Sequence, residues 1–589
     1  MSSWKRALLI CACLMTATRT TAQVRVNEAD LLLFNGKIIT VNSSFSIAQA
    51  VAVRDGRIIA VGSNKDVERY AGPATKRINL RHHIVTPGFI DGHPHLFGIE
   101  EIPLVEVKSV KDILAVVSDA AAKRKPGDWV ILEPPGEPPY YLHIPESLLE
   151  KRYPTRQELD KAAPQNPVYI KSSPFHQRPT AIFNTLALES LGITKESGPI
   201  KGVEVMRESD GIPTGQIIGN LSYFSRSPLR DRLWALSSKP DFEQQVAELK
   251  RDMMRFNAGG ITAIYEGHGM SETIIALYNE LWNKGEMTVR AYIVKTIKAA
   301  GSVESINEEL NNMAAFRGAG FGDDFLKVGG ICIEFGDNVG FGAGFMREPY
   351  VGAEGRKWQG LQLISEEQLY GIARAAADRK IRVNVQASGG GAIDITLRVF
   401  DRINRETPIT DRRFVLEHCQ FPSEQNMKDV ARLGIIPTTV TNFLWGQGDA
   451  YLRFYGRTLA NRAIPLKSWL AHGVPVVLST DYGPHDAMFT LWQAIARKSG
   501  LTGERLGPQE SISREDAIRI YTINGARLAF WENELGSLET GKLADMVILD
   551  RDILNCPLDD IRTTKVIATL VGGKLVYGSL KNLKQQPER

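Results

Sequence analysis

Two histidines separated by one residue, His93 and His95, follow a predicted apolar strand in the stretch VTPGFIDGHPHLFG, residues 85 to 98. Because alternate residues of a strand share a face, both imidazoles can point into one cavity and bind one cation. A bare pair with this spacing is more often solvated or part of a core. The preceding PGFID turn, which ends at Asp91, favours a metal site instead.

Three further predicted strands end in residues that could complete such a site. Gln386 stands in VNVQAS, His418 in FVLEHCQ and Asp481 in VVLSTD. A third imidazole and a carboxylate are what a hydrolytic Zn²⁺ or similar cation needs. The cation lowers the pKa of water, and a carboxylate takes the proton as hydroxide attacks a carbonyl. The structural alternatives are a core histidine at His418 and a helix cap at Asp481.

The elements that would bring these residues together lie between about residues 89 and 534. There, apolar strands such as FNAGGITAIYEG and HGVPVVLSTD alternate with helical patterns, and each candidate strand ends in polar residues. A parallel barrel places its chemistry at those strand ends. The spacing also fits an open doubly wound sheet. We predict an α/β fold built on a (β/α)8 TIM-like barrel that carries a metal-dependent hydrolase site.

Short β-type segments with N-G and D-G turns occur at both ends of the chain, at residues 23–88 and 535–589. They predict a small composite β-sandwich built from both termini. Residues from about 133 to 240 are rich in Pro, Gly and aromatics and read as an irregular insertion or lid over the barrel mouth. The aromatic and proline residues near its start favour an aromatic or bulky acyl substrate.

Residues 1–22 have the layout of a secretory signal peptide, with Lys5 and Arg6 before a short apolar run. Removing them takes away three positive charges and no acid, so the formal charge falls from +4 to +1. That balance gives no electrostatic case for nucleic acid or for a membrane partner after cleavage. Three scattered cysteines remain, which is not a disulfide framework. We expect a secreted or periplasmic protein with a small-molecule substrate, and a homo-oligomer is compatible with the sequence.

The motifs together resemble the amidohydrolase superfamily, in the N-substituted formamide deformylase-like branch (amidohydrolase family 3). The matching segments span nearly the whole mature length and are PGFIDGHPH, ESDGIPTG, GDDFLKVGGI, FVLEHCQ, LSTD and GSLETGKLADMVILD. The resemblance implies a barrel with a composite β-sandwich, one or two divalent ions, Zn²⁺ first, and hydrolysis of C–N or related bonds. It implies that His93 and His95 are ligands from strand one. It makes His418 a ligand or polarising histidine from strand six, and Asp481 a ligand and general base from strand eight.

Two positions depart from the pattern of the family. Where its members carry a lysine that bridges two metals, this chain has Cys332, and where they carry a histidine it has Gln386. Cys332 could ligate as a thiolate or be an ordinary buried cysteine. Glu334 shares its strand face and could replace the bridge, whereas Lys327 should face the other way. A single cation held by His93, His95 and Asp481, with support from His418, fits better than a binuclear centre.

Three further side chains are weaker candidates for substrate contact or ligation. His268 follows another predicted strand, in AIYEGHG, and His176 lies in SSPFHQ. Trp445, in TNFLWGQGD with Phe443 and Leu444, could form an apolar pocket wall, although aromatics near strand ends are as often ordinary packing.

The sequence therefore predicts a secreted metal-dependent hydrolase that cleaves an amide, N-formyl or related C–N bond of a small molecule. Two alternatives stay open. The altered bridge could turn the same fold to ester cleavage, C–C cleavage or isomerisation. The chain could also be a catalytically degenerate exported binding protein.

Overall fold

The structure is a computed structural model. It describes residues 28–95, 102–104, 107–135, 144–172, 179–219, 221, 227–236, 241–297, 299, 301–313, 316–336, 338–352, 355–581 and 583. The predicted signal peptide at residues 1–22 and the candidate His176 lie outside the described residues. No helix among the described residues is both long enough and apolar enough to cross a membrane.

The centre of the molecule is a parallel barrel of eight strands, as predicted. Each strand pairs in parallel with the next along the chain. The ring closes between the first strand and the last, because the Gly92 N–H donates to the Leu478 carbonyl at 3.0 Å. The strands, numbered in chain order, are β1 (Phe89–Asp91), β2 (Ile261–Met270), β3 (Arg290–Thr296), β4 (Leu326–Glu334), β5 (Val383–Ala387), β6 (Val415–His418), β7 (Ile436–Thr439) and β8 (Val477–Leu478).

Amphipathic helices cover the outside of the barrel. In the helix after β5 the buried residues Ile393, Leu397, Phe400 and Ile403 repeat every three or four positions, which forms one apolar stripe. Several of these helices begin at a serine whose hydroxyl accepts a backbone N–H of the first turn. The helices are Phe242–Ala258, Glu272–Asn283, Val303–Asn312, Glu366–Asp378, Gly390–Glu406, Glu424–Leu433, Asn442–Ala460, Leu466–Ala471, Ala487–Ala496, Arg514–Ile520 and Ile523–Leu528.

Side chains fill the barrel interior, which is therefore a packed core. Tyr265 of β2 and Tyr292 of β3 stack at 5.0 Å between ring centroids. The guanidinium of Arg382, which precedes β5, lies over both rings and donates to the Leu528 carbonyl. Arg382 therefore closes the N-terminal end of the barrel and leaves the C-terminal end for the chemistry.

Two sheets outside the barrel contain the terminal segments. One sheet has four strands, Leu31–Phe34, Ala50–Arg54, Arg57–Gly62 and Lys76–Asn79. The other contains strands from both ends of the chain, with Val85 opposite Ile548 in an antiparallel pair. Its strands are Lys37–Ile39, Ile47–Ala48, Ile84–Pro87, Met546–Leu549, Val566–Val571 and Lys574–Gly578. Apolar residues of both sheets share one buried cluster. The limits of a separate composite β-sandwich stay a prediction.

The long segment between β1 and β2 differs from our expectation of an irregular insertion at about 133–240. It forms a five-stranded sheet of its own, with strands Val130–Leu132, Val168–Ile170, Thr180–Phe183, Glu204–Arg207 and Pro213–Ile218. Helices Val110–Ala122, Arg156–Ala162, Thr185–Ser190 and Pro228–Leu236 accompany it. Two apolar clusters of its own stabilise this sheet. A lid role for the segment stays a prediction.

Candidate metal centre

The two histidines that follow β1 are buried at the C-terminal end of the barrel. His93 is fully buried and His95 is 9% exposed. Their ring centroids lie 5.0 Å apart with the ring planes at 73°. The His93 carbonyl accepts the N–H of Asp481 at 2.9 Å, so that the end of β1 is joined directly to the segment after β8. Residues from opposite ends of the barrel sequence therefore meet here.

Asp481 is buried among the histidines, as the resemblance implied. Its Oδ1 lies 3.2 Å from Nε2 of His95 and its Oδ2 lies 3.5 Å from Nδ1 of His418. The backbone of Asp481 has a φ of 55°, in the left-handed region that is costly for a residue other than glycine. Strain of this kind concentrates at functional sites.

The end of β6 supplies two inward side chains in a row, Glu417 and His418. Consecutive residues of a regular strand face opposite ways, but His418 has a φ of 66° and Cys419 a φ of 40°. This local departure lets both side chains face the centre. The His418 ring lies 4.7 Å from that of His93, and Nδ1 of His93 lies 3.3 Å from Oε2 of Glu417.

The strand β2 contributes Glu266 and His268. The register of β2 against β3 shifts between Glu266 and Met270, which is the mark of a bulge that re-aims side chains. Oε1 of Glu266 lies 3.4 Å from Nδ1 of His95. The His268 ring lies 5.5 Å from that of His93 and 5.2 Å from that of His95. His268 was a candidate for an extra ligand or a substrate contact, and the structure places it among the candidate ligands.

The side chains present fit a divalent cation. Donor atoms of His93, His95 and His268 lie within 4.8 Å of one another, and so do those of His93, His418 and Asp481. Within the described part of the chain, both ring nitrogens of His93, Nδ1 of His418 and Oδ1 of Asp481 are buried without a hydrogen bond of normal geometry. Buried polar atoms are normally satisfied, and a cation among these side chains would satisfy the atoms that face it.

Electrostatics favour the same interpretation. Burial lowers the pKa of His93 well below its ordinary value and that of His418 to about 3, so both rings are neutral, the form that ligates metals. Burial opposes the charge on Asp481, but its hydrogen bond with His95 and the nearby imidazoles hold the pKa of this carboxyl below the usual range. Asp481 therefore stays ionised.

Burial raises the pKa of Glu417 to about 7, above the ordinary value of a carboxyl group. For His95, burial lowers the pKa, but the hydrogen bonds to Asp481 and Glu266 outweigh it and raise that pKa to about 10. A cation bound at Nε2 of His95 would replace the proton between that nitrogen and Asp481.

The structure also places the two residues that depart from the family pattern. Cys332 is fully buried, its Sγ lies 4.0 Å from Oε2 of Glu417, and burial raises the pKa of its thiol well above the ordinary value. It is in neither ligand group found among the described residues. Gln386 lies with its Nε2 3.4 Å from Nε2 of His418. Each of the two therefore contacts a residue of the site: Cys332 contacts Glu417, and Gln386 contacts His418.

Glu334 and Lys327 lie near opposite ends of β4. Oε1 of Glu334 lies 3.3 Å from Nε2 of His268, and its side chain is 44% exposed at the mouth of the site. The ammonium of Lys327 lies over the Trp531 ring, away from the histidines.

Trp445, the candidate for an apolar pocket wall, lies among other aromatic side chains. Within the described residues its ring contacts Phe489, Trp492 and Arg562, and it packs against the main core. The aromatic residue of this segment that stands beside the histidines is Phe443, whose ring stacks over His418 at 6.1 Å.

Sequence reasoning missed two buried acids, Glu266 and Glu417. A signal for each was present, since Glu266 lies two residues before His268 and Glu417 directly precedes His418. Strand alternation argued against Glu417, because consecutive residues of a regular strand face opposite sides and Glu417 directly precedes His418.

Asp91 joins the two ends of the barrel behind the histidines. It accepts the N–H of His93 at 3.2 Å, the N–H and hydroxyl of Thr480 at 3.1 and 2.6 Å, and the hydroxyl of Tyr521 at 3.2 Å. Although burial raises its pKa to about 6, these donors oppose that shift and satisfy the carboxylate. Asp91 therefore holds the segments that carry His93 and Asp481 against each other.

Comparisons with known proteins point to one family. A sequence model of the Amidohydrolase family matches residues 76–577. The N-substituted formamide deformylase of Arthrobacter pascens is 27% identical over 557 residues, 93% of this chain and 98% of that protein. The Protein LONG AFTER FAR-RED 3 of Arabidopsis thaliana is 26% identical and covers 93% of this chain and 92% of its own length.

Among solved structures, that of an uncharacterized metal-dependent hydrolase from Pyrococcus horikoshii OT3 superposes with a TM-score of 0.68 at 21% identity. It covers 90% of this chain and 99% of the Pyrococcus chain. At that identity the likeness concerns the fold.

Proposed function

The chain belongs to the amidohydrolase family and is a metal-dependent hydrolase of carbon–nitrogen bonds other than peptide bonds; from that premise we propose that it cleaves an amide or N-formyl bond of a small molecule with water activated at one divalent cation. The observation that carries the proposal is the convergence of His93, His95, His418 and Asp481 in one buried cluster, with Asp481 within 3.5 Å of the ring nitrogens of His95 and His418. We propose Zn²⁺ as the metal, since imidazole and carboxylate donors suit it.

When bound, the cation lowers the pKa of water and polarises the substrate carbonyl. His93, His95 and His418 are the neutral or neutralisable donors that hold it, with Asp481 as the anionic donor. Asp481 is ionised and buried, so it can accept the proton of the attacking water and return it to the leaving nitrogen. His418, whose ring is neutral, orients the developing oxyanion.

The substrate class is proposed from similarity. The Arthrobacter pascens relative is named an N-substituted formamide deformylase and aligns over almost its whole length. An N-acyl or N-formyl amine is therefore the first substrate class to test. The signal-like residues 1–22 support the further proposal that the protein is exported to the periplasm or outside the cell.

The test combines elemental analysis of the purified protein with a screen of N-formyl and N-acyl amines in ¹⁸O-labelled water. We expect about one bound divalent ion per chain and one ¹⁸O atom in the released acid. Product without label would favour a non-hydrolytic reaction. Metal-free protein that added Zn²⁺, Mn²⁺ or Co²⁺ does not activate would contradict the proposal and favour a binding protein.

A further inference from the structure

We propose that Glu417 and Glu266 are positioning residues of the metal centre: each faces Nδ1 of one histidine of the pair after β1 and so leaves Nε2 of that ring for the cation. The inference rests on the proposed function, because it assigns the partners of the ligands rather than the ligands themselves. A carboxylate on the far nitrogen of a ligating histidine fixes the orientation of the ring and raises its basicity.

The first pair is Glu417 with His93. Oε2 of Glu417 lies 3.3 Å from Nδ1 of His93, and both side chains are fully buried. The other oxygen of Glu417 accepts the amide N–H of Asn384 at 3.2 Å. Asn384 in turn accepts the hydroxyl of Tyr265 at 3.0 Å. The carboxylate is thus held at one oxygen and presents the other to the imidazole.

Gly267 shows how closely this carboxylate is fitted. A Cβ atom on Gly267 would lie 2.3 Å from Oε1 of Glu417 and 2.9 Å from the Tyr265 ring. Those distances are too short for any side chain. The backbone of β2 therefore leaves just the room that Glu417 occupies.

The second pair is Glu266 with His95. Oε1 of Glu266 lies 3.4 Å from Nδ1 of His95, while Nε2 of the same ring lies 3.2 Å from Oδ1 of Asp481. The ring therefore has a carboxylate on each side, and the one on the Nε2 side is the proposed ligand and base. Glu266 is fully buried and comes from β2, so it orients His95 independently of the Glu417 chain.

The two residues that depart from the family pattern, Cys332 and Gln386, lie beside this arrangement of carboxylates and histidines. Cys332 approaches Oε2 of Glu417, where a thiol can donate, and Gln386 approaches Nε2 of His418. Cys332 thus contacts a group that orients a ligand, whereas Gln386 contacts a proposed ligand itself. The structure assigns them to this supporting layer of the centre.

The experiment measures metal affinity, which does not depend on turnover. Purified full-length protein is made metal-free and titrated with Co²⁺ against a competing chelator, and the visible Co²⁺ spectrum is recorded. We expect Glu417→Gln and Glu266→Gln each to weaken Co²⁺ binding about 10- to 100-fold. We also expect the band positions and intensity at saturation to be retained, because the coordination number is unchanged.

Glu248→Gln is the matched control. Glu248 is also a buried glutamate, but it pairs with Arg251 on the helix Phe242–Ala258, outside the barrel. This variant should leave Co²⁺ affinity within twofold of the wild type. Thermal unfolding checks that each variant is folded, and if Glu417→Gln is not, Glu266→Gln carries the same test at His95.

Two results would overturn the inference while leaving the proposed function intact. Unchanged affinity in folded Glu417→Gln or Glu266→Gln would mean that the acid does not act on the metal. A collapse of the Co²⁺ band intensity would mean that the acid is itself a ligand. Tight metal binding by the wild type without hydrolysis of any acylated amine would instead count against the proposed function alone.

Discussion

At the scale of single residues, the proposed function assigns the proton transfer to Asp481. It is ionised, buried and within 3.5 Å of the ring nitrogens of His95 and His418. Asp481→Asn keeps the shape of the side chain but removes its capacity to accept a proton. We expect turnover to fall by about 10²- to 10⁴-fold while the protein stays folded. Steady-state kinetics beside thermal unfolding check this, and wild-type turnover in the variant would remove Asp481 from the mechanism.

Cys332 gives a second prediction at this scale. Because its thiol approaches Glu417 and stands in neither ligand group of the described residues, Cys332→Ser should retain the full metal content. A hydroxyl is a stronger donor than a thiol and should preserve the contact with Glu417. Elemental analysis after dialysis measures the content. A clear drop below the wild-type value would make the sulfur a ligand after all.

The sequence was sufficient to single out His93, His95, His418 and Asp481, because each ends a strand in a motif with few other uses. It was not sufficient for Glu417. Alternation places Glu417 opposite His418, and only the positive φ at His418 turns both toward the centre. A backbone torsion of that kind depends on the packing of the whole barrel end and leaves no mark in the residue pattern.

At the scale of elements, the helix Arg156–Ala162 offers a test in the sheet between β1 and β2. Thr155 and Glu158 form a capping box, and the Glu158 carboxylate also accepts two N–H groups of Arg152 at 2.8 Å. The Arg152 guanidinium, opposed by partial burial, lowers the pKa of Glu158 to about 2. A glutamine can still complete the capping box, so Glu158→Gln removes only the ion pair with Arg152 and should cost this helix about 0–1 kcal/mol at neutral pH.

The pH dependence of that cost follows from the lowered pKa. The stabilisation by ionised Glu158 is complete above the ordinary carboxyl pKa and is lost as the pH falls toward 2. The difference between wild type and variant should shrink over the same range. Amide hydrogen exchange of residues 156–162 at several pH values measures it, with Glu189→Gln on the next helix as the control. A difference that is constant with pH would exclude the charge as its cause.

The eight barrel strands were predictable, because long apolar runs that end in polar residues recur between helical patterns. The five-stranded sheet before β2 was not. Its strands are three to six residues long and lie among prolines and glycines. Four barrel strands, β1, β6, β7 and β8, are equally short but alternate with helical patterns, whereas the prolines and glycines here obscure the pattern and the pairing is set by long-range contacts.

At the scale of the whole molecule, a buried ion pair connects the barrel to the C-terminal segment. Arg290 of β3 donates Nε and Nη2 to the two oxygens of Asp545 at 2.8 and 3.0 Å, and both side chains are almost fully buried. Asp545→Ala leaves the guanidinium without its anion. We expect the free energy of unfolding to fall by about 3–5 kcal/mol.

Denaturant unfolding checks this prediction. Asp119→Ala is its control, because the pair of Asp119 with Lys123 is solvent-exposed on both sides and such pairs contribute about 0–1 kcal/mol. Equal losses of unfolding free energy in the two variants would contradict the prediction, because the buried pair would then contribute no more than the exposed one.

The hydrogen bond between Thr480 and Asp91 spans 389 positions of the chain. A ribosome must therefore synthesise more than four-fifths of the polypeptide before His93 can meet Asp481, and no shorter nascent chain assembles the cluster. Which ion the site binds therefore depends on the free metals of the compartment in which the finished polypeptide folds. A chain that is exported before it folds would bind its metal after crossing the membrane, from the ions available outside the cytoplasm.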